Sequence, residues 1–90
     1  MTLYISVDIE SSGSHPPRYS MLSLGAGAFE KRKEYIELDH FYSELQPLPG
    51  SQRDQLAMEV NGLDFKALAE QGKPPRQAMK EFWLWLTDLE

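Results

Sequence analysis

A chain of 90 residues with a formal net charge of −5 is one small domain or part of one, and it buries too little surface for a wide margin of stability. Its ordinary balance of apolar and charged residues excludes low-complexity and collagen-like classes, and the absence of cysteine excludes disulfides and thiolate metal sites. The longest apolar run, FWLWL, is far short of the roughly 20 residues of a membrane span, and MTLYISV is no signal peptide, so a cytoplasmic location is expected.

The first element is a strand over residues 3–9, with Leu3, Ile5, Val7 and Ile9 on one face and Tyr4, Ser6, Asp8 and Glu10 on the other. SSGSHPPRY follows as a loop containing His15. SMLSLGAGAFE reads as a second strand whose Gly25 and Gly27 leave room for close backbone approach. KRKE is a charged turn. The third strand lies within YIELDHFYSELQ, with His40 half-exposed, and PLPG ends it because proline cannot donate to a sheet ladder.

After Gly50 the apolar period becomes helical. SQRD has the capping-box pattern, with Ser51 placed to cap and Asp54 three residues on. Leu56 and Val60 share a face, and Asn61–Gly62 breaks that helix. DFKALAEQ predicts a short helix with Phe65, Leu68 and Ala69 at helical spacing and Gly72 as its stop. Pro74 and Pro75 open the last helix, whose buried stripe is Ala78, Phe82, Trp85 and Leu89. At about 100° per residue, FWLWL wraps apolar surface right around that helix. Either some aromatics are simply exposed, or a second surface covers them.

The chemistry sits at the end of the first strand. Asp8 and Glu10, at i and i+2, are about 6–7 Å apart at the backbone and point the same way. Two like charges so placed repel unless one is protonated or a cation lies between them, and Mg²⁺ or Mn²⁺ suits oxygen ligands. The plainer reading of Asp-x-Glu is a solvated pair on a fraying strand. The acidic net charge, with no basic patch larger than KRK, counts against a pure nucleic-acid-binding module. It counts less against an enzyme whose metal ions supply positive charge at the site.

YISVDIESSG resembles the first motif of the DEDD superfamily of 3′–5′ exonucleases, the group of proofreading exonucleases, ribonuclease T and oligoribonuclease. SMLSLGAGAF, FYSELQP, AMEVNGL and PPRQAMKEFWLWL are similar to the segments that follow in that group, in the same order. The resemblance implies an α/β, ribonuclease H-like exonuclease fold that is truncated, with three antiparallel strands followed by helices. Residues 1–90 would be the N-terminal part of a single exonuclease-like domain, and the first strand would be left at a sheet edge.

The resemblance also implies a function: metal-dependent hydrolysis of phosphodiester bonds at the 3′ end of single-stranded DNA or RNA, by a two-metal mechanism. Asp8 and Glu10 would be catalytic and metal-binding, as the first two of four acids holding two divalent cations (Mg²⁺ or Mn²⁺). Ser11, Ser12 and Gly13 would approach the terminal nucleotide through backbone N–H and hydroxyl groups, and Asn61 and Gly62 would line its pocket. The later acids of the family have no counterpart here; Asp88 and Glu90 stand in the wrong context, and neither His15 nor His40 is in the family's histidine position. Two acids alone do not hold two ions tightly. The expected partners are therefore a single-stranded 3′ end and either a second copy of the chain or a missing C-terminal half. The alternative is a catalytically silent half-domain serving as a scaffold or self-association module.

Overall fold

The computed structural model describes residues 2–14 and 18–89; His15 and Glu90 lie outside them. Three strands, β1 (Leu3–Ser11), β2 (Met21–Lys31) and β3 (Tyr35–Glu44), precede three helices, α1 (Gln55–Asn61), α2 (Phe65–Gln71) and α3 (Pro75–Asp88). The strands form one antiparallel sheet in the order β1-β2-β3. The most continuously apolar strand, β2, takes the middle, with Leu22, Leu24, Ala26 and Ala28 all buried. β1 lies at an edge, as expected.

The sheet has one face toward α3. Phe41 of β3 meets the rings of Phe82 and Trp85, centroids 5.5 and 5.9 Å away, and Leu24, Leu45 and Ala78 close the core beneath them. Trp85 Nε1 donates to Asp39 Oδ2 at 3.1 Å, which fixes the helix along β3. α3 therefore covers the β3 side, and Ile5, Val7 and Ile9 on the same face of β1 stay 39–53% exposed. Trp83 and Leu84 of FWLWL are equally bare, 65% and 51% exposed, while Leu86 is half-buried. Leu3 and Ile5 form with Trp83, Leu86 and Leu89 an apolar groove of about 320 Å³.

The helix boundaries follow local chemistry, with one correction. Asp54, not Ser51, caps α1: its carboxylate accepts from the N–H groups of Leu56 and Ala57. Ser51 Oγ instead donates to the Leu48 carbonyl, within a turn. Gly62, at φ 70°, ends α1 in the left-handed region where glycine carries no steric penalty. Asp64 caps α2, Gly72 ends it, and Pro75 occupies the first turn of α3. The short helices bury few of their apolar residues. α1 buries none of its residues, with Leu56 and Val60 69% and 80% exposed, while α2 buries Leu68 but leaves Ala69 in solvent. Asp54→Ala should cost about 1 kcal/mol. In a domain of this size that lowers the thermal midpoint by roughly 4–8 °C, measurable by calorimetry.

Candidate active site

Asp8 and Glu10 lie on the face of β1 that points away from α3, both exposed. The cross-strand register builds the surface around them. Asp8 is opposite Gly25, which is opposite Tyr42; Glu10 is opposite Ser23, which is opposite Glu44. Facing residues on adjacent strands share a side of the sheet, so Tyr42 and Glu44 stand on the same side as the acids. A side chain added at Gly25 would meet Tyr42 Cδ1 at 3.7 Å and the Asp8 carbonyl at 3.8 Å. Those are ordinary contact distances, so a methyl group would fit at Gly25. The room expected at Gly27 is taken, since an added Cβ would sit 2.7 Å from the Phe29 ring.

Tyr42 Oη donates to Glu44 Oε2 at 3.0 Å. Partial burial first, then the bond and charge of Glu44, and finally the charge of Glu10, push the Tyr42 phenol above its ordinary value of 10.0, against a smaller opposing effect of Ser23. A raised pKa favours the protonated phenol in the folded chain, so this contribution to stability is full below pH 10 and disappears as the phenol ionises. Alkaline titration by tyrosinate absorbance should lose, in Tyr42→Phe, a phenol that ionises above the ordinary value. His40, exposed and not half-exposed as expected, shares this face opposite Gly27, with Nδ1 3.7 Å from Glu37 Oε1.

At the end of β1 the register slips: Glu10 faces Ser23 but Ser11 faces Met21, so Leu22 is the extra residue of a bulge. The chain then enters the Ser11–Ser12–Gly13 turn, where Ser12 is fully buried. Its Oγ donates to the Gln52 carbonyl at 2.7 Å and accepts from Ser20 N–H at 2.9 Å. Its N–H donates to the Ser20 carbonyl at 2.9 Å, and its carbonyl accepts from Asp54 N–H at 2.6 Å. Ser12 thus has neither the free N–H nor the free hydroxyl expected to meet a nucleotide; both are spent inside the fold. Gly13 is buried too, under Tyr19, where any Cβ would fall 2.2 Å from the ring. Ser11 Oγ is turned onto the Gly13 carbonyl at 2.5 Å.

Asn61 and Gly62 are brought to this turn. Asn61 Nδ2 donates to the Ser11 carbonyl at 3.0 Å, and its Oδ1 accepts from Leu63 N–H at 2.8 Å. The Asn61 side chain therefore acts as a brace between the end of α1 and the end of β1. Exposed Gly62 borders a broad groove of about 680 Å³ with Arg53, Met58, Leu63 and Phe65, and neither Asp8 nor Glu10 lines it. Size alone would place a ligand there, but the paired carboxylates are the stronger chemical signal.

The donor set suits a hard divalent cation in kind, with two exposed carboxylates free of ion pairs among the described residues. It is incomplete in number, because no cluster of three or more metal-ligating side chains occurs among those residues. Asp88, excluded from the site by its context, sits in the last turn of α3. Tyr42 is the neighbour that sequence reasoning missed. Only the strand register reveals it.

The chain is thus a three-stranded antiparallel sheet followed by helices, with paired carboxylates exposed on its first strand. In sequence the chain is 39% identical over 88 residues to the 3′–5′ DNA exonuclease Cap18 of Escherichia coli, covering 97% of this chain and 43% of that protein. In structure it is similar to a full-length 3′-exonuclease, with a TM-score of 0.72 and 11% sequence identity over 89% of this chain and 27% of that one. No family profile matches the chain. The resemblance to 3′–5′ exonucleases and the truncated fold it implied are thereby borne out. The chain spans less than half the length of either relative. No helix among the described residues is long and apolar enough to cross a membrane.

Proposed function

We propose that this chain carries the first half of the active site of a metal-dependent 3′–5′ exonuclease acting on single-stranded DNA or RNA. The observation that carries this reading is the Asp8–Glu10 pair, exposed on one face of β1 opposite Gly25 and Ser23, in a chain 39% identical to a 3′–5′ DNA exonuclease. Two divalent cations, held in part by Asp8 and Glu10, would activate water and stabilise the leaving oxygen. The chain's own residues position the acids. β1 aligns their side chains on one face, the internally bonded Ser12 turn fixes the strand end, and Asn61 braces it.

The remaining ligands come from another polypeptide segment, either a second copy of the chain or a C-terminal half. The free edge of β1 and the bare Ile5, Val7, Ile9, Trp83 and Leu84 support that association, since an uncovered edge strand invites pairing. Sedimentation over a dilution series should show assembly of the isolated chain; a folded monomer at every concentration would remove the second copy from consideration. Activity is tested with a single strand labelled at its 5′ end and incubated with Mn²⁺. A ladder of labelled products of decreasing length is expected, whereas release of labelled mononucleotide at the start would mean attack from the opposite end.

A scaffold that has lost its chemistry is the second reading. It is favoured by the lack of a three-ligand cluster among the described residues. Absence of shortening even at saturating Mn²⁺, with the assembly intact, would select it.

A further inference from the structure

The carboxylate face of the sheet also carries an aromatic group at its other end. Tyr4 faces Phe29 across the β1–β2 ladder, and its ring meets that of Tyr35 edge-on, centroids 5.4 Å apart and planes at 90°. Tyr4 and Tyr35 remain 44% and 56% exposed. Lys31 Nζ lies 5.6 Å from the centre of the Tyr35 ring. The adjoining turn holds Arg32 and Lys33, so three of the chain's nine Lys and Arg residues are consecutive here. Arg32 pairs with Glu30, whereas Lys31 and Lys33 have no ion pair among the described residues. Tyr35 follows the basic run in sequence with only Glu34 between, and the sheet brings Tyr4 to the same place.

Tyr4 and Asp8 lie on the same side of β1, four residues or about 13–14 Å apart. Between them Phe29 lies over Gly27, and beyond it stands exposed Tyr42 beside Gly25. We infer that Tyr4 and Tyr35, with Lys31, form a stacking platform for the bases of a single-stranded nucleic acid whose 3′ end is delivered to Asp8 and Glu10. Every base offers a π-face, so this platform grips without reading sequence, and the lysine offsets phosphate charge where the strand enters. Glu34 in the turn and Glu37, opposite Phe29, balance the charge of the basic run, so Lys31 beside the Tyr35 ring is the cation the platform itself offers to phosphate. The inference rests on the exonuclease reading for the placement of the 3′ end, and its test separates the two.

The test measures fluorescence anisotropy of a 5′-fluorescein-labelled ten-residue oligothymidylate with the full chain, in EDTA so that no metal contributes. Tyr4→Ala combined with Tyr35→Ala should weaken binding by about tenfold or more, whereas Tyr4→Phe combined with Tyr35→Phe keeps the rings and the affinity. Lys31→Ala should flatten the dependence of affinity on salt. Circular dichroism of each variant establishes that it is folded. Wild-type-like binding by the folded alanine variant, or no binding by the unaltered chain, overturns the platform. If the alanine variant loses binding and neither protein shortens the strand with Mn²⁺, the platform stands and the exonuclease reading falls. If it binds and shortens the strand as the unaltered chain does, the platform falls alone.

Discussion

Asp8→Asn should abolish Mn²⁺-dependent shortening of a single strand while leaving the chain at least as stable as before. The substitution keeps the size of the side chain and removes one of two neighbouring negative charges. Both carboxylates are exposed on β1 and neither is paired among the described residues, so folding gains nothing from the charge and repulsion is relieved. The metal-held transition state, by contrast, loses an anionic ligand. If that ligand supports several kcal/mol of charge stabilisation, the rate falls on the order of a thousandfold. Glu10→Gln should behave alike. Comparing initial rates with thermal midpoints separates a functional carboxylate from a structural one. A variant that shortens the strand at the normal rate would remove Asp8 from the chemistry.

The opposite signature is expected of Ser12→Ala. Its hydroxyl is fully buried and joins Ser20 N–H to the Gln52 carbonyl, groups brought together only by the tertiary fold. Alanine leaves both facing a methyl group, at about 1–3 kcal/mol for each unsatisfied polar group. For a chain this small that is a large share of the total stability. The midpoint in urea should fall substantially. The affinity of the folded fraction for a single strand should stay within about twofold, because Ser12 offers no free group to a nucleotide; each tenfold would need 1.4 kcal/mol of lost contact. A stable variant with weakened strand binding would return Ser12 to the binding surface.

These two serine and aspartate positions show what the sequence disclosed and what it withheld. The three strands, the stop at Gly62 and the proline-opened last helix follow from alternation and local backbone preference, which the sequence carries directly. Asp8 and Glu10 were legible for the same reason, since i and i+2 on a strand share a face whatever the fold does. Ser12 was not: its partners lie 8 and 40 positions away. Nor was the cap of α1. Ser51 and Asp54 are both good capping residues, and the choice is made by Gln52, which is held extended against Arg18 through its N–H at 2.7 Å and its side-chain oxygen at 2.9 Å.

Tyr42 needed the register as well. A regular continuation of the hairpin from Lys31 opposite Tyr35 would set Phe41 against Gly25, but the irregularity between Ala28 and Phe29 advances β3 by one residue. That single residue puts Tyr42 beside the acids and Phe41 under α3. A one-residue slip exchanges the faces of a whole strand, which is why pattern alone leaves such neighbours open.

The central claim is that Asp8 and Glu10 are metal ligands, and the most direct measurement is Mn²⁺ binding followed by electron paramagnetic resonance of the free ion. The unaltered chain should deplete the free Mn²⁺ signal, and Asp8→Asn should leave it undiminished at the same protein concentration. Equal depletion by the two proteins, or none by either even in the assembled state, would contradict the account.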